Sequence, residues 1–498
     1  MGDDNLKDSL GSLRGNDKEY TGYRRVGIRL TESFNKLLVD SRNSLDSMDE
    51  FSYGLNWFDK AHAVMLIEEN IIPQESAKDC LLALKELSVP GAGKLIDTSS
   101  GGKHSGEAFL IQKLGMEVGG LIHAGRSSWD LSLVSHRVKL RSVVLDLMCH
   151  LNDYRKILIN KASQFTDDVM PYYTHGQQAQ PTTLAHHLHA FISAAERDWL
   201  RLDSVYKRID ISAAGAAAGT ASRFPVNRKR VADLMGFSSV STNTRDSGYN
   251  YDHLWEMGAS LGILMENLSF LCEELILWMG NEYAMIQLAD RYCSTSSIMT
   301  QKRNPTAAEH VQEISKRVAG RIPTSYTAPE LVEDSKHVID AINLCAGMIE
   351  SMKVSKDKML KLTVNSWAQA ADLAALLVQE KGLSWRIAHQ IIGVMVRLSE
   401  EDNLPPGYPT TELLDRASNL FLGKSLNVNE EFLRRGLDPE IAISTRTATG
   451  SPGPKEMKNQ ITNSKKLVGN DDLINSERKN HIVNAERLTD QVIEEILK

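Results

Sequence analysis

Four long stretches of helical periodicity constrain the fold of this chain more than any other feature of its sequence. Each stretch carries apolar residues every three or four positions over 28 to 36 residues, which is the pattern of an amphipathic helix. Helices in globular proteins average about 11 to 12 residues, so patterns of this length indicate a bundle of extended helices. The stretches are residues 131–165, 182–209, 253–288 and 331–362.

The stretch at residues 253–288 is apolar on more than one face of the predicted helix. A helix that is apolar all round is buried all round, so we expect the bundle to continue across subunits into an oligomer. No segment shows convincing strand-type alternation, and neither a Rossmann nor a phosphate-loop pattern is present. The predicted fold class is all-α, a long-helix bundle with smaller helical domains at its N- and C-terminal sides.

Changes in composition divide the predicted helices into three domains. Residues 1–113 form a predicted N-terminal helical domain, and residues 114–362 contain the long helices. After residue 362, glycine and proline turns punctuate shorter helical patterns, so residues 363–498 form a predicted C-terminal helical domain. A charged tail, for which the sequence indicates no chemistry, closes it.

Charge and cysteine usage exclude several classes of protein. The net charge of -7 gives no bulk attraction to nucleic acid or to an anionic membrane. Five cysteines are scattered without Cys-x-x-Cys spacing, which argues against a zinc ribbon or a disulfide framework. The N-terminus shows no targeting pattern, and no apolar run is long enough to span a bilayer. We therefore expect a cytoplasmic protein without nucleic-acid or membrane partners.

A polar, hydroxyl-rich segment at residues 293–305, which we name the serine loop, precedes an apolar-periodic stretch at residues 306–321. Asn304 followed by Pro305 predicts a helix start, because Asn caps free backbone amides and Pro at the first helical position has no amide to satisfy. Lys302 and Arg303 then lie in front of a helix N-terminus, a combination that favours small anions such as carboxylates. The hydroxyls that are candidate ligand donors or, if activated, a nucleophile or base belong to Ser294, Ser296 and Ser297.

The same segment has an ordinary structural interpretation, since serine-rich loops before helices are usually solvated caps and a Lys-Arg pair is usually surface charge. The order of residues favours function. The loop contains Ser296-Ser297-x-Met299-x-x-Lys302-x-Asn304-Pro305, which resembles the signature loop of the fumarase/aspartase superfamily, Gly-Ser-Ser-x-Met-Pro-x-Lys-x-Asn-Pro. Thr295 and Thr300 depart from that signature, so the mobility of the loop is expected to differ.

Two further polar segments resemble other blocks of the same superfamily. Residues 172–181, which we name the histidine loop, read Tyr-Tyr-Thr-His-Gly-Gln-Gln-Ala-Gln-Pro. Residues 119–130, which we name the glycine loop, end in Ala-Gly-Arg-Ser-Ser-Trp-Asp. In the superfamily, three such blocks from different subunits of a tetramer meet around one small dicarboxylate. The resemblance therefore implies a bundle of the fumarase/aspartase type and a homotetramer with shared active sites.

The C-terminal half narrows the resemblance, which covers roughly residues 55–460, to the argininosuccinate lyase family. The segments that carry it are residues 370–378, 381–393, 437–439 and 445–454. The departures fall where that family holds its substrate. Ser128 and Trp129 replace an Arg and an Asn that grip a carboxylate, while Leu55 and Val332 align with a family acid and a family Gln. A hydroxyl is a poor substitute for a bidentate arginine.

The resemblance implies a carbon-nitrogen lyase that eliminates an amine from an N-substituted aspartate to give fumarate. Removing a proton beside a carboxylate requires a base at the carbon and cations or amides at the carboxylate. By resemblance, Ser296 is the base, and Lys302 and Asn304 hold the developing negative charge. His175 and Thr174 are implied to bind the other end of the substrate and to assist the leaving amine.

The matching motif positions imply further substrate-binding residues, namely Arg126, Ser127, Ser128, Gln180 and Tyr326. This chemistry requires no cofactor and no metal. A histidine cluster outside the three loops lies on a predicted bundle helix, where we interpret it as structural. Its members are His186, His187 and His189.

The sequence leaves three functions open. Argininosuccinate, cleaved to arginine and fumarate, is the first candidate substrate. The altered glycine loop favours another N-substituted aspartate, such as an aminopolycarboxylate, and Ser128 also resembles the adenylosuccinate and carboxymuconate branches. A catalytically silent structural homologue is the third possibility, against which the retention of Ser296, Lys302, Asn304 and His175 argues.

Overall fold

The computed structural model describes residues 45–87, 104–322 and 327–498, with side chains from residue 51 onward. The first helices of the described residues, in chain order, are α1 (Leu45–Glu68), α2 (Gln74–Glu86), α3 (Ser105–Leu114), α4 (Met116–Gly119), α5 (Ser128–Ser163), α6 (Leu184–Ile209), α7 (Arg228–Leu234), α8 (Thr244–Tyr249) and α9 (Asp252–Met279). They are followed by α10 (Thr306–Arg321), α11 (Ala328–Ser351), α12 (Lys356–Val364), α13 (Ala370–Lys381), α14 (Trp385–Glu401), α15 (Thr411–Leu422), α16 (Glu430–Leu437), α17 (Pro439–Ser444) and α18 (Pro454–Leu497).

Strands in the described ranges occur only as two-stranded pairs. The antiparallel pairs are β1 (Val169–Thr174) with β2 (Gln177–Thr183), β5 (Ile286–Gln287) with β8 (Lys353–Val354), and β6 (Ser294–Thr295) with β7 (Arg303–Asn304). The parallel pair is β3 (Ile211–Ser212) with β4 (Ser239–Val240). All pairs but the first have two residues per strand. These strands connect loops to one another and do not form a sheet layer in the core. The all-α fold class is confirmed.

Helix α5 begins at a capping box. The Ser127 hydroxyl accepts a hydrogen bond from the backbone N–H of Trp129, and the Asp130 carboxylate accepts one from the backbone N–H of Ser127 at 2.7 Å. Such a reciprocal pair satisfies amides that a helix start leaves free. The helix then continues for 36 residues, close to the predicted stretch 131–165.

Two of the long helices end earlier than the periodicity predicts. Helix α9 stops before Gly280, and α11 stops before Met352, where the backbone becomes extended. Both segments leave their helices to pair with each other, with Ile286 opposite Val354. The apolar pattern continues past both ends because these residues are buried at the strand pair, and periodicity alone does not reveal the change of backbone.

Among the described residues, three clusters of buried apolar side chains hold the helices together. The largest lies among α5, α6, α9, α10 and α11, the second joins α1 and α2 to the start of α5, and the third lies among α13, α14, α15 and α16. Helix α18 contributes Val468 to the first cluster and Ile493 to the second. The charged tail therefore runs back along the long helices. The domain boundaries predicted after residues 113 and 362 stay a prediction.

A buried ion pair fastens this last helix to the bundle. Arg155 Nη1 lies 2.5 Å from Asp471 Oδ2 and 2.9 Å from Asn152 Oδ1.

Within the described ranges, no helix combines the length and apolar character needed to cross a membrane.

Candidate active site

The serine loop is a short hairpin. Strands β6 and β7 pair with Ser294 opposite Asn304, which leaves residues 296–302 as the turn. Asn304 therefore lies in a strand, and the predicted cap at Asn304 is wrong. Helix α10 begins at Thr306, and no side chain among the described residues caps its first turn. The N–H of Ala308 donates to the carbonyl of Pro305 at 3.0 Å, so the helix dipole favours an anion at the amides that precede Ala308.

The hydroxyl of Ser296 is surrounded by backbone amides. Its Oγ accepts hydrogen bonds from the N–H groups of Ile298, at 3.3 Å, and Met299, at 3.2 Å. Hydrogen bonds to an oxygen favour its deprotonated form, which is what a serine needs in order to act as a base. The side chain of Ile298 is 85% exposed, so the protomer alone leaves this turn open to water.

The two cations of the serine loop differ in availability. Arg303 is held by Asp290, at 2.6 Å, and by the carbonyl of Leu288. Lys302 is exposed, and its ammonium has no hydrogen-bond or ion-pair partner in the described parts of the chain. Arg303 braces the hairpin, and Lys302 is the cation that can meet a ligand.

The histidine loop places His175 at the tip of the β1–β2 hairpin. His175 has φ +53° and Gly176 has φ +71°, so both turn residues are left-handed. This conformation is uncommon for a residue with a side chain, and such positions cluster at functional sites. Thr174, His175 and Gln180 are all exposed in the protomer.

Contacts from the C-terminal half anchor this hairpin. Gln178 donates to the carbonyl of Leu362 at 3.0 Å, and Arg446 donates to the carbonyl of Pro181 at 2.5 Å. Arg446 is also paired with Asp372 at 3.0 Å. The sequence placed Arg446 within a family-like segment but gave it no role, because its partner lies far away along the chain.

A groove of about 700 Å³ opens beside the histidine loop. Its polar lining includes Gln180, His187 and Arg446, and Phe270 contributes apolar surface. The three clustered histidines face different partners. His186 contacts Thr182 and the carbonyl of Gly450, His187 contacts Glu274, and His189 contacts Ser464.

Two side chains of the glycine loop make structural contacts within the protomer. Arg126 Nη1 lies 2.5 Å from Asp59 Oδ1, and the two side chains are only 1% and 4% exposed. Ser127 is the cap of α5. Arg126 and Ser127, which were predicted to contact substrate, therefore already have structural partners in the protomer. Ser128 is half-buried and Trp129 is 45% exposed.

Asp59 is a residue that sequence reasoning missed. It lies on α1 one turn after Leu55, which is buried in the second apolar cluster. The available signal was an acid two residues before the Ala61-His62 pair, whose histidine Nε2 donates to the carbonyl of Ala124 at 2.9 Å. Burial raises the pKa of Asp59, and Arg126 opposes that effect.

The glycine loop and the histidine loop lie at opposite ends of the bundle. Helix α5 separates them, and its 36 residues span about 54 Å at 1.5 Å per residue. Helix α6 runs back, since Arg137 near the start of α5 donates to the carbonyl of Arg208 at 2.8 Å. A ligand that touches both loops must therefore meet them from different protomers.

The serine loop lies at the same end as the histidine loop. The His187 and Trp278 rings, at the start of α6 and the end of α9, are 4.7 Å apart. The ring centroids of Tyr283, just beyond α9, and Tyr173 are 5.4 Å apart, and the serine loop begins ten residues after Tyr283. Ser296, Lys302 and Asn304 belong to one hairpin and therefore lie together in one protomer. Tyr326, which was also predicted to bind substrate, lies outside the described residues.

Comparison with known proteins gives consistent matches. The family model described as Lyase matches residues 42–320, and that described as Argininosuccinate lyase C-terminal matches residues 367–443. Argininosuccinate lyase of Methanocaldococcus jannaschii is 36% identical over 421 residues, covering 81% of this chain and 86% of that protein. The Methanosarcina mazei enzyme of the same name is 36% identical over 427 residues, covering 82% and 85%.

Solved structures show the same fold. EDDS lyase in complex with formate superposes with a TM-score of 0.85 at 27% identity, covering 91% of this chain and 92% of that one. The 3-carboxy-cis,cis-muconate lactonizing enzyme from Pseudomonas putida shares the fold with a TM-score of 0.64 at 18% identity, covering 83% and 94%. These matches confirm the resemblance that the three loops carry: the chain belongs to the argininosuccinate lyase family of the fumarase/aspartase superfamily and is a carbon-nitrogen lyase.

Proposed function

We propose that this lyase cleaves argininosuccinate to arginine and fumarate. The observation that carries the proposal is the pair of backbone N–H groups on the Ser296 hydroxyl, in a hairpin that also presents the unpaired Lys302. A base and a cation on one turn are what proton abstraction beside a carboxylate requires. The substrate follows from the names of the curated relatives.

In the proposed mechanism, Ser296 removes the proton from the carbon next to the substrate carboxylate. Negative charge then moves onto that carboxylate, where Lys302, Asn304 and the uncapped amides of α10 stabilise it. The carbon-nitrogen bond breaks, the double bond of fumarate forms, and the amine leaves with a proton. His175 and Thr174 bind the second carboxylate, and His175 supplies a proton to the leaving nitrogen.

We further propose a cytoplasmic homotetramer, in which the glycine loop of one protomer meets the hairpin loops of others. The separation of about 54 Å along α5 supports this arrangement, since one protomer cannot close the site. Exposed apolar side chains on the long helices supply surface for such packing. They include Leu200 on α6 and Ile263, Phe270 and Leu277 on α9.

A second candidate reaction is cleavage of an aminopolycarboxylate. The glycine loop presents Ser128 and the exposed Trp129 where the argininosuccinate lyase family has an Arg and an Asn. A changed carboxylate contact favours a changed substrate. The match to EDDS lyase over 91% of the chain supports the same candidate.

Fumarate absorbance distinguishes these functions. In the addition assay, the protein is mixed with fumarate and one amine, which is arginine, ethylenediamine or another amine in separate reactions. In the cleavage assay, the protein is mixed with argininosuccinate and the release of fumarate is followed. Fumarate released from argininosuccinate supports the first reaction. Fumarate consumed only with other amines supports the second. No change with any amine would leave a silent homologue and overturn both.

A further inference from the structure

Three metal-ligating side chains meet where the glycine loop begins and have no part in the proposed elimination. They are His104, Glu107 and His123, and their ligand atoms all lie within 4.8 Å of one another. Nδ1 of His104 is 3.2 Å from Oε2 of Glu107, and Nδ1 of His123 is 3.0 Å from the same oxygen. One carboxylate oxygen is thus shared by two imidazoles.

Local structure sets this arrangement. His104 immediately precedes α3 and Glu107 lies in its first turn, so the spacing of three residues places them on one face. His123 ends the 3-10 turn Gly120–His123, which is the first part of the glycine loop. The His104 and His123 rings stack with their centroids 5.5 Å apart. Two segments that are separate in sequence are therefore held at one point.

Burial and access at this point suit a bound metal ion. The side chains of His104 and Glu107 are 10% and 9% exposed, and that of His123 is 31% exposed, which leaves a way in from solvent. Both imidazoles are within hydrogen-bond distance of the Glu107 carboxylate, so its Oε2 already faces two nitrogen ligand atoms.

We propose that His104, Glu107 and His123 form a binding site for a divalent transition-metal ion of the zinc type. Zinc bonds of 2.0 to 2.2 Å in tetrahedral geometry separate ligand atoms by about 3.3 Å, close to the 3.0 and 3.2 Å seen between both nitrogens and Oε2. Two imidazoles and one carboxylate favour zinc or cobalt over magnesium or calcium. Three protein ligands leave the fourth position to water.

Binding requires a simple change at the imidazoles. In the hydrogen-bonded state each Nδ1 carries the proton that it donates to Glu107; in the bound state that proton moves to Nε2 and Nδ1 contacts the metal. The ion then joins the start of α3 to the first turn of the glycine loop. Its role is to fix that loop, and the elimination does not use it.

Metal titration of the full-length protein after chelator treatment tests this site. We expect calorimetry to give one zinc ion per chain, with no saturable magnesium binding. His123→Asn and Glu107→Gln should each weaken zinc binding at least tenfold, because each removes a ligand. His310→Asn is the matched control, since exposed His310 lies 3.5 Å from Glu313 at the same three-residue spacing, and its zinc affinity should equal that of the unaltered protein.

Cobalt provides a readout that needs no variant. Bound to the unaltered protein, cobalt should show the intense visible bands of a four-coordinate ion, and zinc should displace them. Absence of saturable zinc binding, or zinc binding that both substitutions leave unchanged, would show that the cluster is a hydrogen-bonded brace only. A weak six-coordinate cobalt spectrum would equally overturn the proposal. None of these outcomes depends on which substrate the lyase cleaves.

Discussion

Arg126 donates a 2.5 Å hydrogen bond to Asp59 from within the glycine loop, and both side chains are almost completely buried. The contact ties the loop to α1. Gly106 permits it, because a Cβ at that position would overlap Asp59 Oδ2. An arginine that resembles a substrate contact in the sequence is, in the protomer, the anchor that sets where Ser128 and Trp129 face.

Replacing Asp59 with Asn should destabilise the protein. The buried charge of Arg126 would lose its partner, and such losses cost about 3 to 5 kcal/mol. Urea unfolding of Asp59→Asn measures the free energy directly. Asp233→Asn, which removes the partner of exposed Lys229 at 2.9 Å, is the control and should unfold like the original protein. Equal stability of Asp59→Asn and this control would contradict the anchoring role.

Replacing Ser296 with Ala should lower kcat for fumarate release about 10²- to 10⁴-fold, the usual contribution of a positioned acid or base. The fold should be unaffected, because the side chain lies in an open turn. Gln301→Ala is the control, since Gln301 is exposed in the same turn and has no proposed role. An active Ser296→Ala enzyme with unchanged thermal unfolding would remove Ser296 as the base.

Two inactive variants should restore activity when their subunits are mixed. Ser128→Glu places a negative charge in the glycine loop, where it repels a dicarboxylate, and His175→Asn removes the proposed proton donor. Because these loops are about 54 Å apart along α5, some sites in a mixed tetramer receive intact copies of both. Subunits would be exchanged in mild denaturant and assayed for fumarate release.

The control for this experiment is each variant taken through the same exchange alone, which should stay inactive. Mass spectrometry of the intact assembly would verify that mixed tetramers form. If mixed tetramers form and activity stays absent, the loops do not share a site across protomers.

Stability should fall as the pH drops below about 6.5, the ordinary pKa of histidine. Burial and the charge of Arg126 lower the pKa of His62 to about 3, although its hydrogen bond to Ala124 raises it. Burial and the charges of Arg137 and His136 likewise lower the pKa of His253 to about 3. Below pH 6.5, therefore, these two histidines bind protons in the unfolded chain but stay neutral in the folded protein.

The contribution of each histidine is complete above pH 6.5 and is lost progressively toward pH 3. At pH 5.5 the loss is on the order of 1 kcal/mol for each. Urea unfolding at pH 7.5 and 5.5 measures it. His62→Gln, which keeps a donor for the Ala124 carbonyl, should show a smaller decrease than the original protein. An equal decrease would mean that His62 does not take up a proton on unfolding in this range.

Local sequence was sufficient for much of this protein. The period of apolar residues predicted the long helices, because an amphipathic helix repeats its buried face in sequence. The order Ser296, Lys302, Asn304 predicted a hydroxyl and a cation on one turn, since seven residues of chain hold them close together. The all-α class and the family followed from such local patterns and were confirmed.

Tertiary structure decided what depends on partners that are distant in sequence. Strand pairing of Ile286 with Val354 shortened two helices, and the pairing of Asn304 with Ser294 removed its predicted cap. The same holds for Arg126, whose partner Asp59 lies 67 residues away, and for α18, which returns along the bundle. Periodicity reports which face of a segment is buried, but only the folded chain determines which residues meet there.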